Sequence, residues 1–148
     1  MMVWQQMIEG LSVTERARSI VKNLLDFARE SETRMEPLDL DKIVDEAVQL
    51  VANQVRMARA QLSVEASEDL PPVHGDRQML CQVFVNLILN AVDSVGEGGR
   101  IDVAVHPDRE DGYLAVDVSD NGAGIPAGQV GHVFDPYFTT KSTGTGLG

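Results

Sequence analysis

Between Asp76 and Val95 the chain reads DRQMLCQVFVNLILNAVDSV, and Met79, Leu80, Val83, Phe84, Leu87, Ile88, Ala91, Val92 and Val95 recur at steps of three and four. That period predicts a helix with one broad apolar face packed into a core. An earlier segment runs from Asp39 or Asp41 through Ile43, Val44, Ala47, Val48, Val51, Val55 and Ala58 at the same spacing. Its acidic start suits the positive end of a helix dipole. Leu62, Val64 and Ala66 alternate with polar residues, as do Ile101, Val103 and Val105, and then Leu114, Val116 and Val118. A period of two predicts half-buried strands, and the turn formers from Pro107 to Gly112 make the last two runs a β-hairpin. Helices that precede and interrupt such strands predict an α+β fold, a two-layer α/β sandwich with helices on one face of a mixed sheet.

Upstream, Val13, Ala17, Ile20, Val21, Leu24, Leu25 and Ala28 form a seam at near-heptad spacing, which predicts one long preceding helix. Residues 1–34 hold five charges of each sign, so everything after Arg34 carries the whole net charge of −11. The shift in composition, with Pro37 biasing Glu36 out of helical geometry, predicts a boundary over Glu32 to Pro37 and domains spanning 1–34 and 37–148. Pro71-Pro72 breaks the chain before the central helix, and Gly96, Gly98 and Gly99 end that helix.

With 148 residues and 43% hydrophobic content, the chain can bury the core of one domain with an added helix. Twelve Lys and Arg against 23 Asp and Glu disfavour nucleic acid and anionic membrane surfaces as partners. The single Cys81 excludes an intrachain disulfide and fits a reducing compartment. No apolar run approaches the ~20 residues of a membrane span, and the N-terminus has no basic region followed by an apolar signal core.

Chemistry concentrates in four places. Asn86 and Asn90 lie four apart on the central helix, with Asp93 one turn later, so their side chains share one edge. Asparagine is a mediocre helix former, and amides within an apolar pattern need partners. After the second hairpin strand comes Ser119-Asp120-Asn121-Gly122-Ala123-Gly124-Ile125-Pro126, whose glycines allow backbone to approach a flat ligand. Taken alone, this D-x-G-x-G fits a calcium loop or a plain turn as well, although calcium wants more carboxylates than Asp120. Phe134-Asp135-Pro136-Tyr137-Phe138-Thr139-Thr140-Lys141 then leads to Gly144-Thr145-Gly146-Leu147-Gly148. No G-x-x-x-x-G-K-[ST] loop is present, and no buried strand precedes the last glycines, which excludes Walker-type and dinucleotide-binding loops. Lys141 is the only cation after Arg109 and is the natural partner for an anion there.

In order, N-x-x-x-N, D-x-G-x-G, F-D-P-Y-F and G-T-G-L-G resemble the N, G1, F and G2 boxes of sensor histidine kinases. The resemblance covers Pro37 to Gly148 and implies the Bergerat ATP-binding fold of the GHKL superfamily. It implies ATP and Mg²⁺ as cofactors: Asn90 as the metal ligand, Asn86 and Asp93 beside the nucleotide, and Asp120 accepting the adenine amino proton. Gly122 and Gly124 would let that loop approach the base, and Phe134 and Phe138 would anchor a lid. Lys141 would meet the phosphates, and Gly144, Gly146 and Gly148 would give the lid mobility and aim amides at them. Arg18 to Arg29 resembles the second helix of the dimerisation and phosphoacceptor hairpin.

The implied activity is transfer of the ATP γ-phosphoryl group to a histidine, followed by relay to an aspartate of a response-regulator receiver domain. Asn86, Asn90 and Lys141 would be the catalytic set. The implied setting is a cytoplasmic region of a homodimeric two-component kinase whose full-length parent could be membrane-anchored. Related ATPases and serine kinases place a Glu general base where this chain has Asn86, which favours the kinase reading over those enzymes, while the intact motifs favour it over a non-catalytic scaffold. His74, His106 and His132 lack the phosphoacceptor context, and the family continues beyond its G2 box. A piece truncated at both ends, unable to phosphorylate itself and with an exposed sheet edge, is therefore expected.

Overall fold

The structure is a computed structural model that describes Arg18, Val21 and residues 32–135. The chain divides into two compact units, one of Thr33–Gly124 and one of Met1–Glu32 with Ile125–Gly148.

In the first unit the elements are β1 (Glu36–Leu38), α1 (Leu40–Met57), β2 (Gln61–Ala66), β3 (Val73–Gly75), α2 (Arg77–Ser94), β4 (Arg100–Pro107) and β5 (Leu114–Asp120). β2 and β4 run parallel with Leu62 opposite Ile101, and β4 and β5 run antiparallel with Val103 opposite Val118, so the three-stranded sheet β2-β4-β5 is mixed. Alternation along β4 buries Ile101, Val103 and Val105. α1 and α2 pack against each other and lay Ile43, Val44, Ala47, Val51, Phe84, Ile88 and Val92 into the same core. This is the expected sandwich, and the hairpin and both helices lie where the hydrophobic periods predict them.

Two departures stand out. β1, which no sequence period predicts and which begins within the Glu32 to Pro37 stretch, pairs antiparallel with β3, Pro37 opposite His74, as a separate two-stranded ribbon. Proline is tolerated because a strand in so short a ribbon has an open side that needs no N–H. The apolar face of α2 is also narrower than its sequence period implies: Phe84, Ile88, Ala91 and Val92 are buried, while Met79, Val83 and Leu87 are 52%, 49% and 42% exposed.

In the second unit, Arg18 and Val21 are exposed helical residues. A 3-10 turn spans Ala127–His132, closed by Gln129 N–H donating to the Pro126 carbonyl at 2.8 Å. Among the described residues no helix is long and apolar enough to cross a membrane.

Candidate functional site

The site is built on α2. Asp76 caps that helix, its Oδ1 accepting from the Met79 N–H at 3.0 Å and its Oδ2 from the Arg34 N–H at 2.9 Å. The backbone donors of Met79 and then Arg34 hold its carboxyl below the usual carboxylate value. Arg77 pairs with Glu46 and so ties the start of α2 to α1. With its N-terminus fixed and Ile88 in the core, the ~100° step per residue turns Asn86, Asn90 and Asp93 to the far side of the helix. Asn86 is half-buried there, and Asn90 and Asp93 are exposed. No described polar residue is buried in the core, so both amides occupy helical positions without displacing apolar packing.

Asp120 is the last residue of β5, opposite Ile101. The loop after it is pinned on one side by Asn121, whose Oδ1 accepts from the Arg100 N–H at 2.8 Å and whose N–H donates to the Arg100 carbonyl at 3.2 Å. Asp120 Oδ1 accepts from the Gly122 N–H at 2.8 Å, an Asx turn that orients the carboxylate. Gly122 faces the end of α2 so closely that a Cβ there would lie 2.2 Å from Ser94 Oγ and 2.4 Å from the Ser94 carbonyl oxygen. Gly124 has φ +76°, which favours glycine. The D-x-G-x-G loop and the asparagine-bearing helix therefore meet at Gly122 and Ser94.

Asn121 and Ser94 hold the loop of the candidate site in place, and the motif reading passes over both. Asn121 fills a variable slot between two recognised residues, although an Asn beside a strand end is itself a turn signal. Ser94 carries no sequence signal of its own. Phe134 is 96% exposed in the second unit, and Phe138, Lys141, Gly144, Gly146 and Gly148 lie outside the described residues.

Of the histidines, His74 lies on β3, His106 Nε2 meets Asp117 Oδ2 at 2.7 Å, and His132 Nδ1 meets Asp135 Oδ2 at 2.8 Å. An open depression lined by Asp39, Asp41, Ser67, Glu68, Asp69 and Leu70 contains none of the motif residues, and its four carboxylates would repel a polyanion. Among the described residues no three His, Cys, Asp or Glu side chains form a metal-holding group. A cation held here by protein would depend on single oxygen donors such as the Asn90 amide. That donor set fits Mg²⁺, which keeps waters and phosphate oxygens as most of its ligands.

Residues 75–148 match the family model described as histidine kinase-, DNA gyrase B-, and HSP90-like ATPase. The chain is 36% identical over 135 residues to the sensor histidine kinase ZraS of Escherichia coli strain K12, which covers 90% of this chain and 28% of that protein. It is similar in structure to the nucleotide-free catalytic domain of histidine kinase ThkA, at 34% identity and a TM-score of 0.67, covering 78% of this chain and 74% of that one. ThkA in complex with the response regulator protein TrrA matches at 29% identity and a TM-score of 0.71, over 86% of this chain and 37% of that one.

Proposed function

This chain belongs to the histidine kinase-, DNA gyrase B-, and HSP90-like ATPase family, and from that premise we propose that it binds Mg·ATP and serves as the catalytic region of a sensor histidine kinase. The chain spans under a third of the curated relative's length, so the complete reaction belongs to a longer assembly. In that reaction the bond from the γ-phosphorus to its bridging oxygen breaks, ADP leaves, and a phosphorus–nitrogen bond forms to an imidazole on a separate helix. A response-regulator aspartate then takes the phosphoryl group, and a paired kinase chain completes the proposed assembly. ATP chemistry puts this region in the cytoplasm.

One observation carries the reading: Asp120 is oriented by the Gly122 N–H on a loop pressed against the last residue of the helix that bears Asn90. Asp120 is then the acceptor for an exocyclic amine of the base. Asn90 is the oxygen donor for Mg²⁺, which when bound would neutralise phosphate charge; in so acidic a chain that neutralisation is needed for a triphosphate to stay. Asn86 and Asp93 flank Asn90 on the same face. Asn86 cannot accept a proton from water at neutral pH, which favours transfer to imidazole over hydrolysis. The protein's contribution is positioning and charge neutralisation, because phosphoryl transfer asks for little covalent chemistry. Phe134, Phe138, Lys141, Gly144, Gly146 and Gly148 take their proposed lid and phosphate roles from motif order.

Calorimetric titration with ATP, with and without Mg²⁺, tests the binding step. Incubation with labelled ATP and a separate polypeptide carrying a phosphoacceptor histidine tests the transfer. Acid-labile phosphate on that histidine is expected, and rapid ATP hydrolysis with no phosphohistidine would refute the kinase reading.

A further inference from the structure

We propose that Ser94 is a positioning residue that sets the distance between the Asn90 and Asp120 ends of the nucleotide site, an inference that rests on the ATP-binding reading above. Ser94 closes α2 one turn after Asn90, and its Oγ and carbonyl oxygen fill the space where Gly122 would carry a Cβ. Gly122 in turn holds Asp120 through its N–H at 2.8 Å. The path from Asn90 to Asp120 is thus one helical turn, one close van der Waals contact and one hydrogen bond. The opposite side of the loop cannot easily yield, since Asn121 is bonded twice to Arg100 of β4. Helix and strand end are both anchored in the core through Ile88, Val92 and Ile101, so the Ser94–Gly122 contact is the spacer between them.

A spacer makes a specific demand on ligands. A molecule that touches only the Asp120 end is indifferent to the spacing, whereas one that engages both ends gains from it as two linked contacts do. A larger side chain at position 94 pushes the loop from α2, and a Cβ at position 122 pushes it from the other side. Relief by rotamer change is closed at Gly122, because the second obstruction is the backbone carbonyl oxygen of Ser94.

The test compares Kd for Mg·ATP and for adenosine in the parent chain, Ser94→Ala, Ser94→Leu and Gly122→Ala, by calorimetry and nuclear magnetic resonance titration. For both Ser94→Leu and Gly122→Ala, the Kd for Mg·ATP should rise by at least about tenfold, and by at least about threefold more than the Kd for adenosine. Ser94→Ala, which removes Oγ and keeps the carbonyl oxygen, should shift the same ratio by a smaller factor. Retained adenosine binding also reports a folded loop, and Ser94→Thr reads the same ratio if Ser94→Leu does not fold. Equal losses for both ligands, or no loss for either, would overturn the spacer. A folded parent that binds neither ligand would instead overturn the ATP-binding reading itself, and the spacer with it.

Discussion

Asp120 Oδ1 and the Gly122 N–H lie 2.8 Å apart across a two-residue step of one loop. One carboxylate oxygen is committed to the loop, and in the proposed reading Oδ2 meets the ligand donor. The division separates two effects of substitution. Asn at position 120 can still accept from Gly122 through its amide oxygen, but it presents NH₂ in place of Oδ2. Asp120→Asn should therefore keep the fold and weaken ATP by about 1.5–3 kcal/mol, the scale of a lost hydrogen bond to a charged group. Calorimetry should show a rise in Kd of roughly ten- to a hundredfold. Unchanged affinity would remove Asp120 from the site.

Asn90 should act through the metal. It is exposed on the outer side of α2, and among the described residues no three His, Cys, Asp or Glu side chains are grouped so as to hold a metal ion. Asn90→Ala should abolish most of the gain in ATP affinity that Mg²⁺ brings to the parent, while affinity in excess chelator stays within a few-fold. Equal losses with and without Mg²⁺ would assign Asn90 a role in phosphate or helix contacts.

Stability should follow the observed faces of α2 and not its apolar sequence. Ile88 is fully buried, so Ile88→Ala should cost about 2–5 kcal/mol, the range for a truncated core side chain. Val83, five positions away and also apolar, is 49% exposed. Val83→Ala should stay within about 0.5 kcal/mol in chemical denaturation, as surface substitutions do. Comparable losses at both positions would mean that Val83 is covered in solution.

The reason the two valine-class positions differ marks what the sequence can convey. The ends of α2 were legible because Asp76 is a capping residue and the three-four period starts directly after it. Hydropathy names the apolar residues of a helix but not the arc that the neighbouring sheet covers, so Met79, Val83 and Leu87 looked like core. The parallel pairing of Leu62 with Ile101 joins residues far apart in sequence, and periodicity has no access to such a register. β1 and β3 escaped notice because each has three residues, too few to display alternation, and one contains Pro37. At the candidate site the motif order singles out Asp120 and Asn90. It could not reveal that Gly122 is small in order to admit Ser94, since that need exists only after α2 and β5 are brought together.

A pH effect should arise far from the motifs. His106 sits on β4 with Nε2 against Asp117 Oδ2 at 2.7 Å and Nδ1 against the Pro107 carbonyl at 2.9 Å. Both partners are acceptors, so only the imidazolium, which donates from both nitrogens, satisfies them together. The Asp117 hydrogen bond, then the Pro107 carbonyl, and beyond them the charges of Asp117 and Asp108 raise its pKa above the ordinary value. For a group raised on folding, the stabilisation is complete below the unfolded pKa of about 6.5 and is lost as pH climbs through the higher folded value. The parent should thus lose thermal stability relative to His106→Gln as pH rises through that window, by a small amount because the pair is exposed. Asp117→Asn should flatten the difference in the same way. A parent-to-variant gap that does not change from pH 5 to pH 9, about the span of an ordinary histidine titration, would show that the pair contributes no charge-dependent stability.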